Sequence, residues 1–222
     1  MPFYKKSYSK AQGVYYPRAI VQGKPVETET IAKDLAKIST VSNSDVQAVL
    51  GDGYRLVTPS ELGITEEIPE DRPTIEGNAS QKSHYLYERT GADCFADDTG
   101  LEVEALGGEP GVRSARYAGP GHDSERNMEL LLRNMEGITD RRARFRTVIS
   151  LILDGEEHLF EGIVGGVLLT VPRGTNGFGY DPIFVPDGYA ETFAEMSDEA
   201  KNAISHRGRA VAKLAAFLNS RP

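Results

Sequence analysis

The sequence predicts an α/β fold: a long mixed β-sheet flanked by helices, with a central cleft and an N-terminal strand-helix-helix appendage. Three observations predict it. From Tyr54 onward, short apolar runs rich in β-branched residues alternate with segments of helical period. One such run, Cys94-Phe95-Ala96, stops abruptly at Asp97-Asp98-Thr99-Gly100, as a buried strand ends at a site. Asp154-Gly155 then joins two long β-rich stretches, a strong hairpin signal.

The elements follow in order. Residues 15–26 (YYPRAIVQGKPV) are β-rich, with Gly23 and Pro25 as turn punctuation. Residues 28–38 place Ile31, Leu35 and Ile38 on one helical face behind Thr28 as N-cap. Ser42 followed three residues later by Asp45 repeats the capping pattern before Val46-Gln47-Ala48-Val49-Leu50. Residues 54–57 read as a short strand, and a polar, acidic loop runs from there through Pro73. Residues 75–89 are helical, with Asn78, Lys82 and Leu86 at i, i+4, i+8 spacing. Residues 124–136 form a further helix, and residues 144–153 and 158–169 are the strands of the hairpin. Residues 199–218 read as one amphipathic helix with Ile204, Val211, Leu214 and Leu218 turned inward.

Composition bounds the function. The 222 residues suffice for a substantial core, and 39% hydrophobic with 26% charged residues is ordinary for a globular protein. Apolar runs stay well short of the roughly 20 residues that span a bilayer, and MPFYKKSYSK lacks a signal-peptide apolar stretch, so the expected location is the cytoplasm. The lone Cys94 excludes an internal disulfide and a cysteine-based zinc site. Net charge is −8, unevenly spread: residues 1–50 carry seven Lys/Arg against four Asp/Glu, and the remainder carries the acidic excess. An acidic surface repels nucleic acid, and a net +3 over residues 1–50 is a small footprint for binding it, so nucleic acid is not an expected partner.

Three constellations carry chemistry. Asp97 and Asp98 are adjacent carboxylates at a strand end, costly to bury unless they meet a cation or share a proton. Side chains alternate across a strand, so one of them faces a given site while the other supports it. An Asx turn with Asp97 capping the next loop accounts for the pair equally well. In Asn176-Gly177-Phe178-Gly179-Tyr180-Asp181-Pro182, two glycines flank an aromatic ring, allowing backbone to approach a planar ligand on which the ring stacks; a glycine-rich turn has the same composition. Lys201-Asn202-Ala203-Ile204-Ser205-His206-Arg207-Gly208 puts cationic groups near a helix start, a phosphate or purine-edge site, or else a solvated charged face.

FADDTGLEVEALGGEPGVRSARYAG, NGFGYDPIF, TFAEM and KNAISHRG, in this order, resemble the motifs of the inosine/xanthosine triphosphate (dITP/XTP) pyrophosphatase family, nearly ungapped from about Val46 to Leu218. The resemblance implies a Mg²⁺-dependent hydrolase of purine nucleoside triphosphates with a non-standard base (ITP, dITP, XTP), and a homodimer. It places Asp98 as the catalytic and metal-linked aspartate with Asp97 beside it, and Glu70 near the second metal-binding acid. Thr99 stands where the family has a substrate-contacting serine, and Lys82 matches a lysine of its first long helix. Phe178, Gly179, Tyr180 and Asp181 match its base-binding segment; Lys201, His206 and Arg207 match residues that contact base and phosphates.

The resemblance departs upstream. The family opens with a strand and a T-G/N-N-x-x-K loop that cradles the triphosphate, whereas here Ser39 and Ser42 fall on its asparagine and lysine. Serine brings no charge to that position. Residues 1–50 instead resemble the N-terminus of HU-like nucleoid proteins, through FYKKSY, YYPRAIVQGK and ETIAKDLAKISTVSNSDVQAVL. The expected organisation is an HU-like fragment over residues 1–46 and a pyrophosphatase domain over residues 47–222, its usual first strand replaced and the sheet edge beside the site left bare. A second reading is a fusion or truncated product with weak activity, or a DNA-associated protein acting through residues 1–50.

Overall fold

The computed structural model describes residues 18–22 and 55–220, with side chains from Val57 onward. The strands are β1 (Arg18–Gln22), β2 (Arg55–Val57), β3 (Cys94–Val103), β4 (Pro110–Gly111), β5 (Arg142–Leu153), β6 (Glu156–Leu168) and β7 (Phe184–Pro186). The described helices are α1 (Ile75–Thr90), α2 (Ser124–Asn134), α3 (Asp198–Ile204) and α4 (His206–Asn219). The sheet runs β2-β1-β3-β5-β6-β7, with β4 paired to β3. The α/β class with a sheet flanked by helices is therefore as expected.

The described residues divide into two compact units: one holds those up to Asp98, 148–160 and those from Val211 on, and the other holds residues 99–147 and 161–210. In the first unit, β1 pairs antiparallel with β2 (Ile20 opposite Val57) and with β3 (Ala19 opposite Phe95). The edge of β3 over Cys94–Ala96 is thus covered by residues 18–22, not bare as the sequence reading had it. The helices expected over residues 28–50, together with Ser39 and Ser42, lie outside the described residues. The core of this unit joins Ile68, Leu86, Cys94 and Ile152. Helix α1 begins at Thr74, whose hydroxyl accepts from the Gly77 N–H, and ends at Gly91 in the left-handed region. Its buried face is Ile75, Asn78, Ala79, Lys82, Ser83 and Leu86: the helical stripe expected from the spacing, with an amide and an ammonium set into it.

The second unit is built on a larger cluster that includes Leu101, Val103, Leu131, Phe145, Phe184 and Phe193. β3 does not stop at the aspartates. It continues to Val103, buried at eight of its ten positions, and Leu101 pairs with Gly111 of β4. Pairing on the far side of Asp97-Asp98 carries the strand on, which the local run of apolar residues could not reveal. β5 shows both strand grammars in one element. Its first half alternates Arg142, Arg144 and Arg146 with the more deeply buried Ala143, Phe145 and Thr147, and its second half, Val148 to Leu153, is buried throughout. The hairpin to β6 turns at Asp154 and Gly155, both at positive φ (53° and 81°), the geometry that Asp-Gly favours.

The predicted single C-terminal helix is two. Ser205 is extended (φ −64°, ψ 154°), separating α3 from α4, and its hydroxyl accepts from the Gly208 N–H at 3.0 Å. A serine that caps a new helix stabilises the break, whereas one inside a continuous helix has no such partner.

Candidate active site

In the first unit, α1, the loop before it and β3 converge on one ammonium. Lys82 is fully buried, and its Nζ donates to Asp98 Oδ1 at 2.7 Å and to Glu70 Oε2 at 3.1 Å. Asn78, one helical turn earlier, donates from Nδ2 to Asp98 Oδ2 at 3.2 Å and accepts the Arg72 N–H on Oδ1 at 2.8 Å. The same helix face holds the acidic loop again at Gln81, which donates to Asp71 Oδ1 and accepts the Asp71 N–H. Burial pushes the Asp98 carboxyl above the usual range; the Lys82 ammonium and the Asn78 amide pull it back, and the Glu70 carboxylate pushes it up. Asp97 is equally buried beside it. The structure therefore brings Glu70, Lys82 and Asp98 together, with Asp97 next to them on β3. Asn78 was noticed only for its spacing; a lone amide on an apolar helical face was the signal for a role in the site.

Among the described residues, no three or more His, Cys, Asp or Glu side chains stand close enough to hold a metal by themselves. Glu70 and Asp98 converge on the Lys82 ammonium, and a divalent ion that takes only one or two protein carboxylates and completes its shell with phosphates and water needs no larger cluster.

In the second unit, β3, β5 and the segment from Asn176 to Arg207 build a second cluster. The Phe178 ring is half exposed, with Lys201 Nζ 5.1 Å and the Arg207 guanidinium carbon 5.8 Å from its centroid. Asp181 fixes that ring's position: its Oδ2 accepts the Phe178 N–H at 2.8 Å and the Lys201 ammonium at 2.6 Å. Burial raises the Asp181 carboxyl and Lys201 opposes it. Gly177 makes the turn possible, because a Cβ there would lie 2.2 Å from Asp181 Oδ2 and the residue has φ +73°. His206 stacks on Phe145 at 4.7 Å and 13°, fully desolvated; burial first, then Arg207 and Lys201, holds it well below the usual histidine range, so the imidazole is neutral at pH 7. Arg207 Nη2 donates to Thr99 Oγ1 at 3.3 Å, and Thr99 Oγ1 lies 2.6 Å from Thr147 Oγ1.

The structure thus groups Thr99, Phe178, Asp181, Lys201, His206 and Arg207. Gly179 completes the same loop at φ +63°. Tyr180 does otherwise: its ring is buried in the hydrophobic cluster and its hydroxyl donates to the Ser114 carbonyl at 2.9 Å. Sequence reasoning passed over Thr147 and Phe145, which sit inside an ordinary strand pattern with no local mark of function.

Fold and clusters define an α/β protein with a buried carboxylate–lysine group in one unit and a cation-backed aromatic in the other. The sequence profile of the Ham1 family matches residues 22–217. The chain is 47% identical over 177 residues to a Flavobacterium johnsoniae protein described as dITP/XTP pyrophosphatase, covering 80% of this chain and 92% of that one. A Porphyromonas gingivalis protein of the same description is 47% identical over 176 residues (79% and 91%). Among solved structures, the Staphylococcus aureus Ham1 protein superposes with a TM-score of 0.75 at 39% identity, covering 87% of this chain and 95% of that one. A HAM1 protein from Coxiella burnetii gives 0.76 at 35% (80% and 93%). The chain belongs to the Ham1 family. The profile match begins at residue 22. No described helix is long and apolar enough to cross a membrane.

Proposed function

We propose that this protein hydrolyses the α–β phosphoanhydride of ITP, dITP or XTP, releasing the nucleoside monophosphate and pyrophosphate. The observation that carries the reading is the Lys82 ammonium held between Asp98 and Glu70 in a chain of this family. Glu70 and Asp98 would hold Mg²⁺, which when bound neutralises the triphosphate and makes a coordinated water more acidic. The chain's own groups do the rest. Lys82 and Asn78 orient the Asp98 carboxylate, which is placed to take a proton from the attacking water. The water oxygen bonds to the α-phosphorus as the bond to the bridging oxygen breaks, and the electron pair leaves with pyrophosphate. Asp97 supports Asp98 from the other face of β3.

The base is handled by Phe178, on which it stacks, with the ring fixed by Asp181 through the Phe178 N–H. Neutral His206, Lys201 and the backbone around Gly179 discriminate a 6-keto purine from one bearing an amino group. An amino group left unpaired there costs about 1–3 kcal/mol per mismatched contact. Arg207 and Thr99 offer donors to phosphate oxygens. Assembly as a homodimer belongs to the same reading and is measured by sedimentation equilibrium.

The test is pyrophosphate release from ITP, XTP and ATP with Mg²⁺ and with EDTA. We expect Mg²⁺-dependent turnover of ITP and XTP above ATP, abolished in Asp98→Asn. Equal turnover of ATP, or full activity in Asp98→Asn, overturns the proposal.

A further inference from the structure

We propose that Gln81 is a positioning residue that fixes the loop backbone at Asp71 and so keeps the neighbouring Glu70 carboxylate in place for the metal; the inference rests on the functional reading above.

Glu70 stands in a segment without a framework of its own. Between the short turn at Pro59–Leu62 and α1 the chain forms no helix or strand. Ile68, 1% exposed, anchors the segment in the core, while Pro69, Asp71, Arg72 and Pro73 are exposed. Three consecutive residues of it meet one face of α1. Arg72 donates its N–H to Asn78 Oδ1 at 2.8 Å, Asp71 meets Gln81, and Glu70 Oε2 accepts from Lys82 at 3.1 Å. Positions 78, 81 and 82 are neighbours on a helix surface, so the loop is zipped back along α1. The Asp71 N–H belongs to the planar peptide unit that begins at the Glu70 Cα. Fixing that plane fixes the root of the Glu70 side chain.

The residue type suits the task. Gln81 Oε1 accepts the Asp71 N–H at 3.1 Å, and its Nε2 donates to Asp71 Oδ1 at 2.8 Å. A carboxamide carries an acceptor and donors together, whereas lysine offers only donors and glutamate only acceptors. Both bonds lie in solvent, where such contacts add little to global stability. Loss of Gln81 therefore separates placement from folding.

The test uses the full chain and three readouts: amide exchange at Arg72 without nucleotide, the Mg²⁺ concentration for half-maximal ITP hydrolysis, and melting temperature. Gln81→Ala should speed Arg72 exchange and raise the Mg²⁺ requirement about fivefold, with kcat at saturating Mg²⁺ within about twofold. Melting temperature should move by no more than about 3 °C. Gln81→Glu sets two carboxylates face to face and should show the same defect. Combined with Asp71→Asn it reverses donor and acceptor, remakes both bonds and should restore the wild-type requirement. Arg89→Ala removes the 3.1 Å contact to Glu66, on the far side of buried Ile68, and should leave the Mg²⁺ requirement unchanged. Unchanged Arg72 exchange or Mg²⁺ requirement in Gln81→Ala, a double variant that does not recover, or an equal rise in Arg89→Ala overturns the proposal. A wild-type chain without Mg²⁺-dependent turnover of ITP fails the functional reading itself, an outcome distinct from an active chain indifferent to Gln81.

Discussion

At the scale of single residues, Lys82 is the position whose loss should be felt most. It is fully buried between two carboxylates, and removing one member of a buried ionic group leaves the others uncompensated, at about 3–5 kcal/mol. Lys82→Met should therefore lower the urea midpoint sharply at pH 8. The sign of its pH dependence follows from Asp98. Burial and Glu70 already raise that carboxyl, and without Lys82 the two contributions that lower it most are gone. A carboxyl held above its unfolded value penalises the fold once the unfolded chain has ionised, and the penalty fades as pH falls. The deficit of Lys82→Met relative to wild type should shrink from pH 8 to pH 4.5; a constant deficit would contradict the assignment. Gly162 is a second sensitive position. A Cβ there would stand 1.9 Å from the His206 carbonyl oxygen and 2.6 Å from the Ala210 nitrogen, both backbone atoms. Gly162→Ala must move the start of α4, with His206 and Arg207 on it, and overpacking of this kind costs about 1–3 kcal/mol. A raised KM for ITP and a lower melting temperature are expected together, and a variant with wild-type values of both would contradict this. At this scale Asp98, Phe178, Lys201, His206 and Arg207 stood out in the sequence because each sits in a motif, and Lys82 by its helical spacing. Asn78 stood out only as a lone amide on an apolar helical face, and Thr147 not at all, since it sits inside an ordinary strand pattern.

At the scale of elements, local chemistry was legible where the signal was local. Asp154-Gly155 turns the hairpin at positive φ, the geometry its composition favours. Two features needed partners that sequence spacing does not show. β3 runs through its aspartates because β4 pairs beyond them. The last helix breaks at Ser205, whose hydroxyl accepts the Gly208 N–H. Apolar spacing alone reads α3 and α4 as continuous. Ser205→Ala removes that cap and should cost about 0.5–2 kcal/mol, read as a lower melting temperature. Because the break sets where His206 and Arg207 begin α4, KM for ITP should rise as well. An unchanged melting temperature would show that the break does not depend on the cap.

For the whole molecule, stability should carry the signature of a buried neutral imidazole. His206 is held well below its ordinary value of 6.5, so below that pH the unfolded chain binds a proton that the folded chain refuses. Stability should therefore fall as pH drops below about 6.5, with a slope of up to about 1.4 kcal/mol per pH unit from this group. His206→Gln should flatten that slope between pH 5 and 6.5 in urea titrations, and an unchanged slope would assign it elsewhere. The N-terminal region supplies another test. Ser42 stands where the resemblance places a phosphate lysine, and one charge-assisted contact is worth about 1.5–3 kcal/mol. Replacing residues 1–46 with a family-type N-terminal strand and loop should raise ITP turnover, and equal rates would show that the substitution is immaterial. The sequence by itself determined the α/β class, the hairpin and the starts of α1 and α2, because caps, turns and periodicity act between near neighbours. Only the tertiary structure decided that Lys82 meets Asp98 sixteen residues away, Lys201 meets Asp181 at a separation of twenty, and Thr147 meets Thr99 at forty-eight. It also decided that residues 18–22 join the sheet beside β3. The reason is physical: burial sets the strength of a charge pair or a hydroxyl pair, and burial exists only once distant segments have packed.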